Sequence, residues 1–386
     1  MTIPAVPLPG LRSLFQSAAA PISTGEPWRL NHRQGDVAQV YWRGSFALAA
    51  AIETVRKTTA ADRVTVWIPG YFCNEALEPL RRLPVTLRFY PVQADLTPDW
   101  SFLEELGSRL SGSVVFVLVH YFGFPNAILQ AKALCEKYQI VLLEDAAHVL
   151  QPGGGIGDGD LSIYSPRKLM AIPSGGILVA SKAWATHLVK VSARQGRNAD
   201  TIRWLAKRLA QKLFVKLHIP WHRLRSVGQQ GYSPGITYGL LHRTSEGCNP
   251  FDLKLLTVMG QGMDEIMERR RRNYQQLLGW TEHLAEARPL FAHMPDGVCP
   301  YAFPLLVNQS SSDVVVALQA EGIPASQWPD LPPEVLAAQG AHKISIHTFE
   351  RLLLLPVHQS LTPRQIDEVG QRFCSALSGD RKASDD

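Results

Sequence analysis

The chain has 386 residues, of which 46% are hydrophobic and 19% charged, as expected for a folded soluble protein with room for one large domain and a smaller one. Its five cysteines, at 73, 135, 248, 299 and 374, form no C-x-x-C pair, which argues against a zinc site or a disulfide framework and for reduced thiols in the cytoplasm. The net charge of +5 is local: residues 201–245 hold eight Lys/Arg and no acid, so the rest sums to about −3, which argues against a general nucleic-acid role.

Residues 1–35 are rich in Pro and polar residues and read as an arm, with neither the cationic start nor the apolar core of a signal peptide. A helix is predicted from Gly44 through Val55, with Ala47, Leu48, Ala51, Ile52 and Val55 on one side. Strand Val64–Ile68, helix Asn74–Leu83 and strand Val85–Tyr90 follow. Next come helix Trp100–Leu110, strand Val114–Val119, helix Ala127–Tyr138 and strand Ile140–Leu143. The apolar run from Val114 to Phe124 is too short to span a bilayer. Trp184–Ala193, Ile202–Leu217 and Leu253–Leu284 carry helical periodicity. The tail alternates Tyr301–Val307, Ser312–Glu321, Leu352–Pro356 and Pro363–Leu377. Strands with continuous apolar cores alternating with helices predict a mostly parallel sheet covered on both faces, followed by a smaller α+β domain. The division is an arm over 1–35, a large domain over 36–250 that includes a basic insert at 201–245, and a small domain over 251–386.

In such sheets ligands bind at the carboxyl ends of strands, where Ser45, Asp145 and Lys168 all fall. Asp145 ends one strand; a glycine-rich turn from Pro152 to Gly159 and a short run, Asp160–Ser165, then lead to Lys168, before Gly175-Gly176 opens another strand. An acid and a lysine facing each other across a pocket suit pyridoxal 5'-phosphate (PLP): the lysine forms the Schiff base and the acid partners the pyridinium nitrogen. A serine before an apolar helix, such as Ser45, is otherwise a plain N-cap, and Asp145 and His148 are otherwise a cap and a turn residue.

Several of these elements together resemble the DegT/DnrJ/EryC1/StrS family, the sugar aminotransferases of PLP fold type I, from about Arg43 to Phe373. Gly44-Ser45-Phe46-Ala47-Leu48 resembles the helix start that holds the cofactor phosphate on free amides and a hydroxyl. Glu144-Asp145-Ala-Ala-His148 resembles the element whose acid binds the ring nitrogen, with His148 where a Gln usually meets the ring's 3-oxygen. Ser165-Pro-Arg-Lys168 is similar to the segment with the phosphate-binding serine and the lysine, although two residues shorter. Gly247-Cys248-Asn249 resembles the motif whose Asn reaches the phosphate of a neighbouring subunit, with Phe251 replacing its Arg. Cys73 stands where the family places a stacking aromatic, leaving that role to Phe72 or Tyr71. Val119-His120-Tyr-Phe-Gly123 and Leu355-Pro-Val-His358 also fit the family, His120 as either a satisfied strand-end histidine or a substrate contact.

The resemblance implies a homodimer with shared active sites that transfers an amino group from an amino acid, glutamate in the family, to a nucleotide-linked keto-sugar by a ping-pong Schiff-base mechanism. Lys168 and Asp145 would be catalytic. Gly44, Ser45, Phe46, Phe72, His148, Ser165 and Asn249 would join them in binding the cofactor, with no metal. Two alternatives are a PLP-dependent sugar dehydratase, which commonly lacks the lysine, and a catalytically weak binding or regulatory protein of a polysaccharide pathway. In the insert, Ile202, Leu205, Leu209, Leu213 and Leu217 form a stripe flanked by tryptophans and cations. It reads as a docked surface helix, a contact for a phosphate-rich substrate, or a peripheral membrane contact over 201–225.

Overall fold

The computed structural model describes residues 2–19, 33–191, 198–217 and 247–377. Helix α1 (Leu11–Ala19) and strand β1 (Val37–Tyr41) precede α2 (Gly44–Thr58), which buries Phe46, Ala47, Leu48, Ala51, Ile52 and Val55. Then follow β2 (Val64–Pro69), α3 (Asn74–Leu77), β3 (Val85–Tyr90), α4 (Trp100–Ser108), β4 (Val114–Val119), α5 (Ile128–Tyr138), β5 (Val141–Ala146), β6 (Leu161–Tyr164), β7 (Gly176–Ala180) and α6 (Asn198–Lys216). The seven strands form one sheet in the order β1-β7-β6-β5-β4-β2-β3. β3, β2, β4, β5 and β6 run parallel, while β7 and β1 complete one edge antiparallel. All six residues of β4 are buried, as a strand covered on both faces requires.

A second, antiparallel sheet in the order β10-β11-β9-β8 is built from β8 (Ala287–Pro289), β9 (Phe303–Val307), β10 (Ser326–Gln327) and β11 (Leu352–Leu355). Helices Met263–Thr281 and Pro363–Leu377 pack on each other beside it.

Three predicted helices differ. The long one over 253–284 is two helices, Pro250–Gly260 and Met263–Thr281, because Gly260 and Gly262 weaken the backbone at the junction. Asn74–Leu83 breaks at Pro79 into α3 and a single 3-10 turn, Leu80–Arg82. Trp184–Ala193 yields only the turn Ala185–His187, with residues 188–191 non-helical and 192–197 outside the described residues.

The arm is more ordered than expected. Besides α1, residues 2–9 run as a strap along the C-terminal part of the chain. Gln365 Nε2 donates to Thr2 O at 2.9 Å, His358 Nε2 to Pro4 O at 2.9 Å, and Leu8 N to Ser360 Oγ at 3.0 Å.

Candidate active site

The carboxyl ends of β5 and β6 and the N-terminus of α2 meet at a cavity of about 520 Å³. A helix start leaves its first amides without intrahelical acceptors, here those of Gly44 and Ser45. A Cβ on Gly44 would sit 3.3 Å from Ser165 Cβ, so the serine that follows β6 stands directly beside the helix start. Neither the Ser45 nor the Ser165 hydroxyl has a hydrogen-bond partner among the described residues, and both residues line the cavity. β7 closes on this corner because residue 176 is glycine: a Cβ there would lie 2.2 to 2.4 Å from Arg43 C, Arg43 O and Gly44 N. Two hydroxyls and a helix N-terminus with no side chain at Gly44 make a cradle suited to a phosphate.

Asp145 lies one residue from the end of β5 and lines the same cavity. It accepts from Ala147 N at 3.0 Å. Burial pushes its carboxyl up, while Lys168 and the Ala147 amide pull it down. Lys168 ends the turn Pro166–Lys168, and burial lowers its ammonium pKa against the pull of Asp145. Its Nζ lies 3.0 Å from His148 Nε2.

Phe122 N donates to His148 Nδ1 at 3.2 Å, so the proton of a neutral ring sits on Nε2, the nitrogen that faces Lys168. Burial holds the imidazole well below its usual pKa, consistent with a neutral ring. The His148 ring is stacked on Tyr301 with centroids 4.4 Å apart and planes 3° apart. Phe122 itself has a left-handed backbone, φ 56°, which aims its amide at the ring.

The glycine-rich turn is organised by the neighbouring acid. Glu144 is fully buried and accepts from Gly157 N, Gly159 N and His120 Nε2, the last at 2.7 Å. His120 Nδ1 accepts from Asn126 N at 3.0 Å, so both ring nitrogens are engaged and the histidine is a satisfied structural one.

Of the two aromatics put forward for stacking, Phe72 lines the cavity, whereas Tyr71 packs away from it on Trp328 and Tyr121. Two residues of the expected cofactor set, Phe46 and Asn249, do not line this chain's own cavity. Phe46 is fully buried against Trp42 and its amide donates to Arg43 O. Asn249 does not line the cavity: its Oδ1 accepts from Asp252 N at 2.9 Å and its Nδ2 donates to Thr201 Oγ1 at 2.9 Å. Asp252 in turn accepts from Thr201 and Ser174. Within its own chain Asn249 therefore caps the helix Pro250–Gly260.

Arg167 of the lysine motif also lines the cavity, as do Tyr301, Trp328 and Gln327, which carried no signal in the sequence motifs. Arg270, from the basic run at 269–272, is a buried guanidinium that donates to the carbonyls of Leu169, Pro300 and Tyr301, tying the lysine turn to the stacking tyrosine. From the basic insert, Trp204 and Arg208 reach the cavity wall, as do Val6 and Pro7 of the strap. Ile202, Leu209, Leu213 and Leu217 are exposed, and residues 218–246 lie outside the described residues. No described helix is long and apolar enough to cross a membrane, and no described cluster of three or more His, Cys, Asp or Glu could hold a metal.

Residues 103–213, which include Asp145, His148, Ser165 and Lys168, match the sequence model of the DegT/DnrJ/EryC1/StrS aminotransferase family. That family's aminotransferases are PLP-dependent. No curated protein sequence matches the chain. Among solved structures, Helicobacter pylori PseC, an aminotransferase involved in the biosynthesis of pseudoaminic acid, is similar with a TM-score of 0.69 at 15% identity, over 98% of this chain and 100% of that one. The sugar aminotransferase CalS13 from Micromonospora echinospora gives 0.65 at 17%, covering 97% and 99%. Spr1654 from Streptococcus pneumoniae in its PLP form gives 0.68 at 15%, covering 98% and 99%. The chain has the PLP fold type I, with a large, mostly parallel seven-stranded sheet.

Proposed function

We propose that this protein is a PLP-dependent aminotransferase that moves the amino group of an amino acid, with glutamate as donor, to a nucleotide-linked keto-sugar. The observation that carries the reading is the convergence of Lys168, Asp145 and the cradle of Gly44, Ser45 and Ser165 on one cavity of about 520 Å³, within the roughly 300 to 1,000 Å³ range of small-molecule sites. Gly44, Ser45 and Ser165 would hold the phosphate and Asp145 the ring nitrogen. His148 Nε2–H would donate to the ring oxygen, and Phe72 would lie against the ring. When bound, PLP supplies a sink for the electron pair left when the donor's α-proton departs.

The chain's own part is proton handling. Lys168, whose charged form burial disfavours and whose Nζ lies 3.0 Å from His148 Nε2, would take a proton from the donor α-carbon and return it to the cofactor side. Asp145, once a protonated nitrogen lies beside it, is held ionised despite its burial. Tyr301 and Trp328 line the same cavity and would keep water from it. In balance, amino acid and keto-sugar become 2-oxo acid and amino-sugar. A second copy of the chain would cover the exposed apolar residues Leu11 and Phe15 of α1, and light scattering would report the resulting dimer.

The test is spectroscopic. Purified protein given PLP should turn yellow, and glutamate should bleach the colour. Lys168→Ala should lose the lysine-dependent band. A chain that takes up no PLP, or a spectrum that Lys168→Ala leaves unchanged, would sink the reading.

A further inference from the structure

Lys168 has a second cation beside it. The turn Pro166–Lys168 directs Arg167 into the same cavity. Its Nε is buried without a hydrogen-bond partner, and no described carboxylate forms an ion pair with it. Its electrostatic neighbours are Glu75, Tyr301 and Cys73. Burial pushes the Cys73 thiol up to about 12 and raises the Tyr301 phenol, so both are neutral. Glu75 lines the cavity too, and burial raises its carboxyl against the pull of Arg167. With Glu75 in the same cavity but outside ion-pair contact, a buried guanidinium is costly unless a ligand brings a carboxylate into contact with it.

We propose that Arg167 binds the α-carboxylate of the amino donor. The inference rests on the aminotransferase reading and adds to it the residue that selects an amino acid over a simple amine. A phosphate already has its own cradle at Gly44, Ser45 and Ser165, built from amides and hydroxyls. Arg167 instead adjoins Lys168, whose Nζ must reach the donor α-carbon, and a carboxylate is one bond from that carbon. A planar guanidinium matches a carboxylate with two parallel hydrogen bonds, which a lysine at the same position cannot reproduce.

The experiment has three arms, run on the full-length wild type, Arg167→Gln and Arg167→Lys. In the first, the PLP-loaded proteins are titrated with glutamate and, separately, with propylamine, which has no carboxylate, while the visible band is followed. Arg167→Gln should raise the half-saturating glutamate concentration about 100-fold and leave the propylamine response unchanged, with Arg167→Lys intermediate. In the second, glutarate is titrated calorimetrically into cofactor-free protein: the wild type should bind it and Arg167→Gln should not. In the third, PLP uptake should be equal in all three proteins.

Equal changes for glutamate and propylamine, an unchanged glutamate titration, or weakened PLP uptake in Arg167→Gln would overturn the proposal, the last by moving Arg167 to the phosphate. Wild-type protein that binds glutarate through Arg167 but takes up no PLP would keep the carboxylate site and remove the aminotransferase reading. Protein that is bleached by glutamate regardless of residue 167 would do the reverse.

Discussion

His358 offers a quantitative test of how the strap is held. The imidazole is buried, donates from Nε2 to Pro4 O, and leaves Nδ1 without a partner. Burial pushes its pKa from 6.5 down to about 3. Above pH 6.5 the ring is neutral in both folded and unfolded chains and pH has no effect through it. Between 6.5 and 3 the unfolded chain takes up a proton that the folded chain refuses, so stability falls as pH falls across that window. At pH 5 the unfolded ring is almost fully protonated and the folded ring is not, which amounts to about 2 kcal/mol. The assay is urea unfolding at pH 7.5 and pH 5.0 for wild type and His358→Gln, which keeps an N–H for Pro4 O without a titrating group. Wild type should lose about 2 kcal/mol more than the variant between the two pH values, other titrations cancelling in the comparison. Equal losses, or a larger loss in the variant, would refute a neutral buried His358.

Gly176→Ala should destabilise the fold by about 2 kcal/mol or more, because its methyl group meets backbone atoms at 2.2 to 2.4 Å; urea unfolding checks this, and an unchanged midpoint would contradict the close approach of β7 to α2. Glu144→Gln replaces an acceptor of several buried donors by a group with one oxygen, and unfolding free energy should fall by about 2 kcal/mol. Asp145→Asn should fold as well as wild type, since burial already disfavours its charge, yet slow the glutamate-dependent bleaching by about 1,000-fold; a slowing under tenfold would separate Asp145 from the ring nitrogen.

The parts of the site that were legible in the sequence are those fixed by local chain geometry. Ser45 opens a helix, Asp145 lies at a strand end and Lys168 follows the next strand, and each position follows from a change in hydrophobic period along the chain. Asn249 carries a second signal that is equally local. Asn-Pro followed by an acid two positions on is a helix N-cap with proline at the first helical position, and that is the role the structure gives it. Phe46 falls on the face of α2 that packs against Trp42, a tertiary choice its motif does not contain. Tyr301 and Trp328 reach the cavity from the segments just before β9 and just after β10, 133 and 160 positions beyond Lys168, so no periodicity near the lysine could announce them. The tautomer of His148 is set by the left-handed backbone at Phe122, a property of a turn and not of a residue pattern.

The strap of residues 2–9 closes contacts between positions 352 to 363 apart in sequence, and Val6 and Pro7 form part of the cavity wall. During synthesis the bonds of Thr2, Pro4 and Leu8 find no partners until the stretch from His358 to Gln365 has emerged. Closing so long a loop carries an entropic cost that only finished neighbours can offset. The cavity therefore gains its wall at Val6 and Pro7 last, after the lysine turn, the cradle and the acid are all in place, and until then a cofactor meets a site open on that side.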